Sequence, residues 1–346
     1  MENLKIGVIG AGSWGTALAQ LLAEKGNIVD LWAYEKEVKQ QIQIDKENRI
    51  FLPGISLSPY IIPFNDIKRV AENKDILAVV VPSHVVRQTS LTFSKFLKEN
   101  TVIVSASKGI EEKSHLTMSG VLKETVPQIP ENRITVISGP SFAKEVAVKA
   151  PTAVTVASID PKIAELIQGI FATSYFRVYT SDDLIGVELG GAIKNVIAIA
   201  SGMLDGLGMG LNTRAALITR GLTEIRRLGL RLGANPHTFA GLAGIGDLLL
   251  TATGNLSRNY TVGNRIGKGE TLQDILSDMQ MVAEGVKTSK SVFNLSRKLN
   301  VDMPICREIY HILYDDVLPA VALEKLMNRD LKHELYDLVD EGKSHR

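Results

Sequence analysis

The chain of 346 residues has room for about two domains, and 45% hydrophobic with 22% charged residues is the make-up of an ordinary globular protein. A formal net charge of +1 offers no electrostatic footprint for nucleic acid or for a membrane surface. One cysteine, Cys306, excludes an internal disulfide and fits a reducing compartment, and the scattered histidines lack metal-ligand spacing, so no metal is expected.

The N-terminus opens on strand-like Leu4-Lys5-Ile6-Gly7-Val8-Ile9, the start of a fold and not a secretory h-region, which predicts a cytoplasmic protein without a membrane segment. Short β-branched runs follow at 6–9, 28–32, 76–81, 101–105, 134–137, 153–157 and 176–179, separated by helical stretches. Strands spaced this way need crossover connections and a largely parallel sheet. Beyond Asp182-Asp183 the strand runs stop and a 3.6-residue period takes over, as at 213–232 and 321–338. The pattern predicts an α/β Rossmann-type N-terminal domain over 1–183 and an all-α C-terminal domain over 184–346.

Gly10-Ala11-Gly12-Ser13-Trp14-Gly15 follows the first strand and opens a helix at Thr16. In this spacing Gly10 permits the tight turn, Gly12 lets the backbone approach a pyrophosphate, and Gly15 lets helix and strand pack, while the helix N-terminus attracts the anion. Glu35, twenty residues past Gly15, stands where a carboxylate bonds the adenine ribose hydroxyls. The set predicts nicotinamide or flavin binding.

Further candidates sit where strands end. Lys108 follows the run 101–105, and Ser141, in Gly139-Pro140-Ser141-Phe142-Ala143, either caps the next helix or reaches a ligand. Lys194 is the only charged residue between Leu189 and Leu204. An ammonium on such a helix is costly unless paired, and burial lowers its pKa toward the range useful for proton transfer; the alternative is a lysine snorkelling from a core helix. Gly190 and Gly191, one turn earlier, predict a bare patch that a small molecule can approach. Asp247 and Thr251 share a helix face, with an N-cap role the rival for Asp247. Ser257-Arg258-Asn259 supplies the donors that grip a phosphate, although a surface turn looks similar.

Gly10-x-Gly12-x-x-Gly15, Val81-Pro82-Ser83, Ser107-Lys108-Gly109, the segments 137–145 and 186–198, Ala243-Gly244-Ile245-Gly246-Asp247 and Ser257-Arg258-Asn259 together resemble the bacterial NAD(P)-dependent glycerol-3-phosphate dehydrogenases. The resemblance implies a cytoplasmic homodimer that interconverts dihydroxyacetone phosphate and sn-glycerol 3-phosphate for phospholipid synthesis. It implies Lys194 as proton donor and acceptor, held by Asp247 with Thr251 beside it. It implies a substrate lined by Lys108, Gly139, Ser141, Lys194, Asp247, Ser257, Arg258 and Asn259. It also implies an NAD or NADP seat touching Ser13, Trp14, Tyr34, Lys108, Ala143, Arg258, Val282 and Glu284. Glu35 would repel the additional phosphate of NADP, which points to NADH, whereas Tyr34 departs from the histidine or arginine often found there and leaves the nucleotide choice open.

Two related enzyme classes fit less well. The β-hydroxyacid dehydrogenases carry an asparagine one turn after the lysine, where this chain has Ala198, with Asn195 adjacent instead. Sugar-nucleotide dehydrogenases work through a cysteine, and Cys306 lies in no comparable motif. A non-catalytic dinucleotide sensor would not need both Lys194 and Asp247.

Overall fold

The computed structural model describes residues 4–254, 256–279 and 283–334. Val282 and the end of the helical pattern expected at 321–338 lie outside these residues.

The strands are β1 (Ile6–Ile9), β2 (Val29–Trp32), β3 (Ile61–Phe64), β4 (Ile76–Val79), β5 (Val102–Ser105), β6 (Ile134–Ser138), β7 (Thr152–Ala157) and β8 (Phe176–Ser181). They form one sheet in the order β3-β2-β1-β4-β5-β6-β7-β8, parallel throughout except where β7 runs against β6. Strands β1, β4, β5 and β6 are buried along their whole length, as expected of a parallel sheet covered on both faces. Their side chains alternate between two cores: Ile6, Val8, Ile76, Ala78, Val102 and Val104 enter one, and Ile9, Leu77, Val79 and Ile103 the other.

Strand β3 is not legible in the sequence. It is four residues long, contains Pro63, and lies at the sheet edge, where a missing N–H does least harm. Chain order reverses between β1 and β4, so a crevice opens at the carboxyl ends of these two strands, the ordinary ligand position in open parallel sheets.

The C-terminal half is helical and forms its own core. At its centre the helix Leu184–Gly206 is buried from Gly186 to Leu204. Its length and composition would suit a membrane span, but 89% of that window is buried inside the fold, and it is the core helix of the domain. Asp183 starts it, accepting a hydrogen bond from Gly186 N at 2.8 Å. The helix Arg258–Gly267 packs on it backbone to backbone: a Cβ at Gly202 would lie 2.0 Å from the Tyr260 carbonyl oxygen, and one at Gly263 1.9 Å from that of Ile199. The expected helix at 213–232 is Leu211–Arg231, and the helix Pro319–Met327 ends earlier than the periodicity at 321–338 suggests.

Candidate functional site

The nucleotide fingerprint has the geometry that its glycines predict. Gly10 has φ +118°, and a Cβ there would sit 2.6 Å from the Val80 carbonyl oxygen; a Cβ at Gly15 would sit 1.8 Å from that of Gly10. Gly12 differs, because a Cβ there would meet nothing within 4 Å. Open space therefore lies directly over the N-terminus of the helix Ser13–Glu24, which fits a pyrophosphate. The helix begins at Ser13, three residues before Thr16, and the Ser13 hydroxyl donates to the Phe51 carbonyl at 2.6 Å.

From this turn a cleft of about 720 Å³ runs between the sheet and the helical domain. Gly10, Gly12, Ser13, Trp14, Tyr34 and Glu35 line its nucleotide end. Lys108, Ser141, Lys194, Thr251, Ser257, Arg258, Asn259 and Glu284 line the remainder. Tyr34 is 78% exposed, and Glu35 precedes the helix Lys36–Ile44 without capping it through its side chain. Ala143 is not among the lining residues; Ser141 and Phe142 occupy the wall there, because Ala143 already belongs to the helix Ala143–Ala147. Ser107 and Asn195 also line the cleft, although neither is among the expected site residues; each is adjacent to a lysine that is.

At the floor, Lys194 is 7% exposed and Asp247 1% exposed. The Lys194 ammonium donates to Asp247 Oδ1 and, at 2.8 Å, to the Thr251 hydroxyl. Lys108 Nζ reaches the other carboxylate oxygen, Oδ2, at 2.6 Å, and the Gly139 carbonyl at 3.4 Å. Asp247 thus serves two lysines and is no helix cap, the N-cap of its helix being Gly246. Nor does Ser141 cap: its hydroxyl donates to the Gly139 carbonyl at 3.0 Å. Burial pulls the Lys194 pKa down to about 7, with Asp247 opposing the shift and Lys108 adding to it. Burial alone would raise the Asp247 carboxyl, but the two ammonium groups outweigh it and hold the carboxyl below its usual range.

Gly190 and Gly191 do not leave a bare patch for a ligand. A Cβ at Gly190 would lie 2.3 Å from the Ala243 carbonyl oxygen, and one at Gly191 2.5 Å from Ser138 Oγ. Protein fills that space. The small residues let the end of β6, the Lys108 stem from the loop after β5 and the wide π-type turn Leu242–Gly246 press on the helix, which brings Lys108 and Asp247 to Lys194.

Ser257 caps the helix Arg258–Gly267, accepting from Tyr260 N at 3.2 Å, so Arg258 is its first residue. Asn259 accepts from Gly285 N at 2.9 Å through Oδ1. Burial lowers the Arg258 pKa while Glu284 opposes the shift. A guanidinium and an amide at a helix N-terminus, one cleft-width from a buried ammonium, suit a small anionic substrate.

A Rossmann nucleotide seat and a lysine–carboxylate–lysine centre shared between it and an all-helical domain define a nicotinamide-dependent dehydrogenase. The family models for the N-terminus and the C-terminus of NAD-dependent glycerol-3-phosphate dehydrogenase match residues 5–164 and 183–324, and the chain belongs to that family. A glycerol-3-phosphate dehydrogenase [NAD(P)+] of Syntrophobacter fumaroxidans is 55% identical over 330 residues, covering 95% of this chain and 97% of that protein. That of Geobacter sulfurreducens is 52% identical, covering 95% and 98%. The crystal structure of glycerol-3-phosphate dehydrogenase from Coxiella burnetii superposes with a TM-score of 0.91 at 38% identity, covering 94% of this chain and 99% of that one.

Proposed function

We infer that this protein interconverts dihydroxyacetone phosphate and sn-glycerol 3-phosphate with NAD(P)H, supplying glycerol phosphate for phospholipid synthesis. The observation that carries the reading is the buried Lys194 ammonium, paired with Asp247 and open to a cleft that begins at a dinucleotide fingerprint. Loss of NADH or NADPH absorbance on adding dihydroxyacetone phosphate tests it.

Gly12 and the N-terminus of the helix Ser13–Glu24 would hold the pyrophosphate of a nicotinamide dinucleotide, which when bound would supply the hydride for the ketone carbon. Lys194 gives a proton to the oxygen that becomes the alcohol, so negative charge does not accumulate there, and takes it back in the reverse reaction. Asp247 and Thr251 hold Lys194 in place, and Asp247 balances its charge. Lys108 adds positive field beside the carbonyl. Arg258 and Asn259 bind the phosphate, with Ser257 beside them, and so orient the reacting carbon from a distance.

The same reading divides the chain into a nucleotide domain, 1–183, and a substrate domain, 184–346, a boundary supported by the helix start at Asp183. It includes a homodimer in the cytoplasm. The dimer rests on the family resemblance, and the location is supported by the lone, buried Cys306.

Two expected results follow from the geometry. Arg258→Ala raises KM for dihydroxyacetone phosphate by tenfold or more, about the worth of one charge-assisted bond to phosphate, and scarcely changes the poor activity on unphosphorylated dihydroxyacetone. Equal loss on both ketones would assign Arg258 to the nucleotide or to the fold. The pH dependence has opposite signs in the two directions. Ketone reduction needs the ammonium form of Lys194, so its kcat falls as pH rises through about 7, and alcohol oxidation, which needs the neutral amine, rises across the same window. Parallel profiles in the two directions would remove Lys194 from the proton transfer.

A further inference from the structure

One contact joins the two domains through groups far apart in sequence. Ser83, the first residue of the turn Ser83–Val85 after β4, is 5% exposed and does not line the cleft. Its N–H donates to Glu284 Oε1 at 3.1 Å and its hydroxyl donates to Oε2. Glu284 opens the helix Glu284–Leu299 in the C-terminal half, so this carboxylate satisfies a backbone donor of the other domain.

Each partner is also fixed to one side of the catalytic centre. Ser83 lies hard against the lysine loop, since a Cβ at Gly109, next to Lys108, would fall 2.4 Å from both Ser83 Cβ and Oγ. Gly285, next to Glu284, donates the N–H that occupies Asn259 Oδ1. A Cβ at Gly285 would also strike the Asn195 carbonyl oxygen at 2.6 Å, so the approach is as close as a backbone allows. That bond turns Asn259 Oδ1 toward Gly285, and the NH₂ group is the donor that Asn259 can offer an anion.

We infer that Ser83 and Glu284 are a positioning pair that fixes the Lys108 loop and the Asn259 amide relative to each other, so that proton-transfer centre and phosphate seat are set as one unit across the domain boundary. This rests on the reading of Arg258 and Asn259 as the phosphate site. Neither residue of the pair needs to touch the phosphate. Ser83 acts only through Glu284 and the loop it supports.

The test uses the full-length enzyme and five variants: Ser83→Ala, Glu284→Ala, Glu284→Gln, the Ser83→Ala/Glu284→Ala double variant, and Asn259→Ala as the reference for the phosphate seat. Ser83→Ala is expected to raise KM for dihydroxyacetone phosphate about tenfold, the usual effect of leaving a buried acceptor short of a donor, while the NADH dissociation constant from fluorescence titration stays within about twofold. The double variant should be no worse than Glu284→Ala alone, because both remove one interaction. Glu284→Gln, which keeps an acceptor for the Ser83 N–H, should recover most of the loss. The pair is refuted if Ser83→Ala leaves KM unchanged or alters only nucleotide affinity, if the two alanine effects add, or if Glu284→Gln is as damaging as Glu284→Ala, which would assign the effect to charge beside Arg258. An unchanged KM in Asn259→Ala would overturn the phosphate reading itself, and with it the coupling.

Discussion

Lys194→Met is expected to lower kcat by about a hundredfold or more, the usual worth of a positioned general acid, with NADH affinity held within about twofold. Methionine fits the buried volume that the lysine stem occupies but carries no proton. Lys108 still meets Asp247 Oδ2 in this variant, so the carboxylate keeps a partner and the domain has no reason to unfold. Lys194→Arg separates charge from chemistry: a guanidinium keeps the positive field but does not give up its proton near neutral pH, so it should be nearly as inactive. Steady-state kcat with saturating dihydroxyacetone phosphate decides the matter, and turnover within a few-fold of wild type in either variant would reduce Lys194 to a core lysine.

Asp247→Asn should be as severe for turnover and worse for stability. Among the described residues the carboxylate is the only negative charge in contact with the two ammonium groups, each bound to a different oxygen. An amide has one acceptor oxygen and a donor NH₂ group where the carboxylate has two acceptor oxygens, so it must present the NH₂ group to one of the lysines. Breaking a buried ion pair from one side costs about 3 kcal/mol or more, because the partner charges stay buried without compensation. Lys194 relieves the strain by losing its proton. Its pKa, already pulled to about 7 in the native site, moves lower, and the acid form needed for ketone reduction is depleted at neutral pH. The expected results are a kcat for reduction down by about a hundredfold or more near neutral pH, a pH profile displaced to the acid side, and a lowered midpoint of urea unfolding. A variant with normal stability and a normal profile would show that Asp247 does not hold Lys194 charged.

Local chemistry was legible in the sequence where one residue type is hard to explain otherwise. Three glycines at fixed spacing after a strand identify the pyrophosphate turn, and a lone lysine in an apolar helix identifies the centre. The partners of that lysine are a different matter. Asp247 lies 53 residues from Lys194 and 139 from Lys108, and no local pattern records that one carboxylate serves both. The Ser83–Glu284 contact, across 201 residues, is invisible for the same reason. Gly190 and Gly191 misled because a missing side chain marks close approach without saying by what; here it is the Ala243 carbonyl and Ser138, both belonging to the protein. Strand β3 escaped because Pro63 speaks against a strand until its place at the sheet edge is known, and the reversal of β7 depends on a connection whose length allows either direction.

The backbone-to-backbone contact of the helices Leu184–Gly206 and Arg258–Gly267 makes the site a calliper. One jaw is the Lys194 ammonium, the other the end of the second helix where Arg258 and Asn259 stand, and the hinge is locked at Gly202 and Gly263, where main chain rests on main chain. Side chains repack when a substrate is the wrong size; two helical backbones in contact do not. On the proposed reading of Arg258 and Asn259 as the phosphate seat, a separation fixed in this way is expected to favour one chain length of ketone phosphate, which kcat/KM for dihydroxyacetone phosphate against a homologue one carbon longer would check.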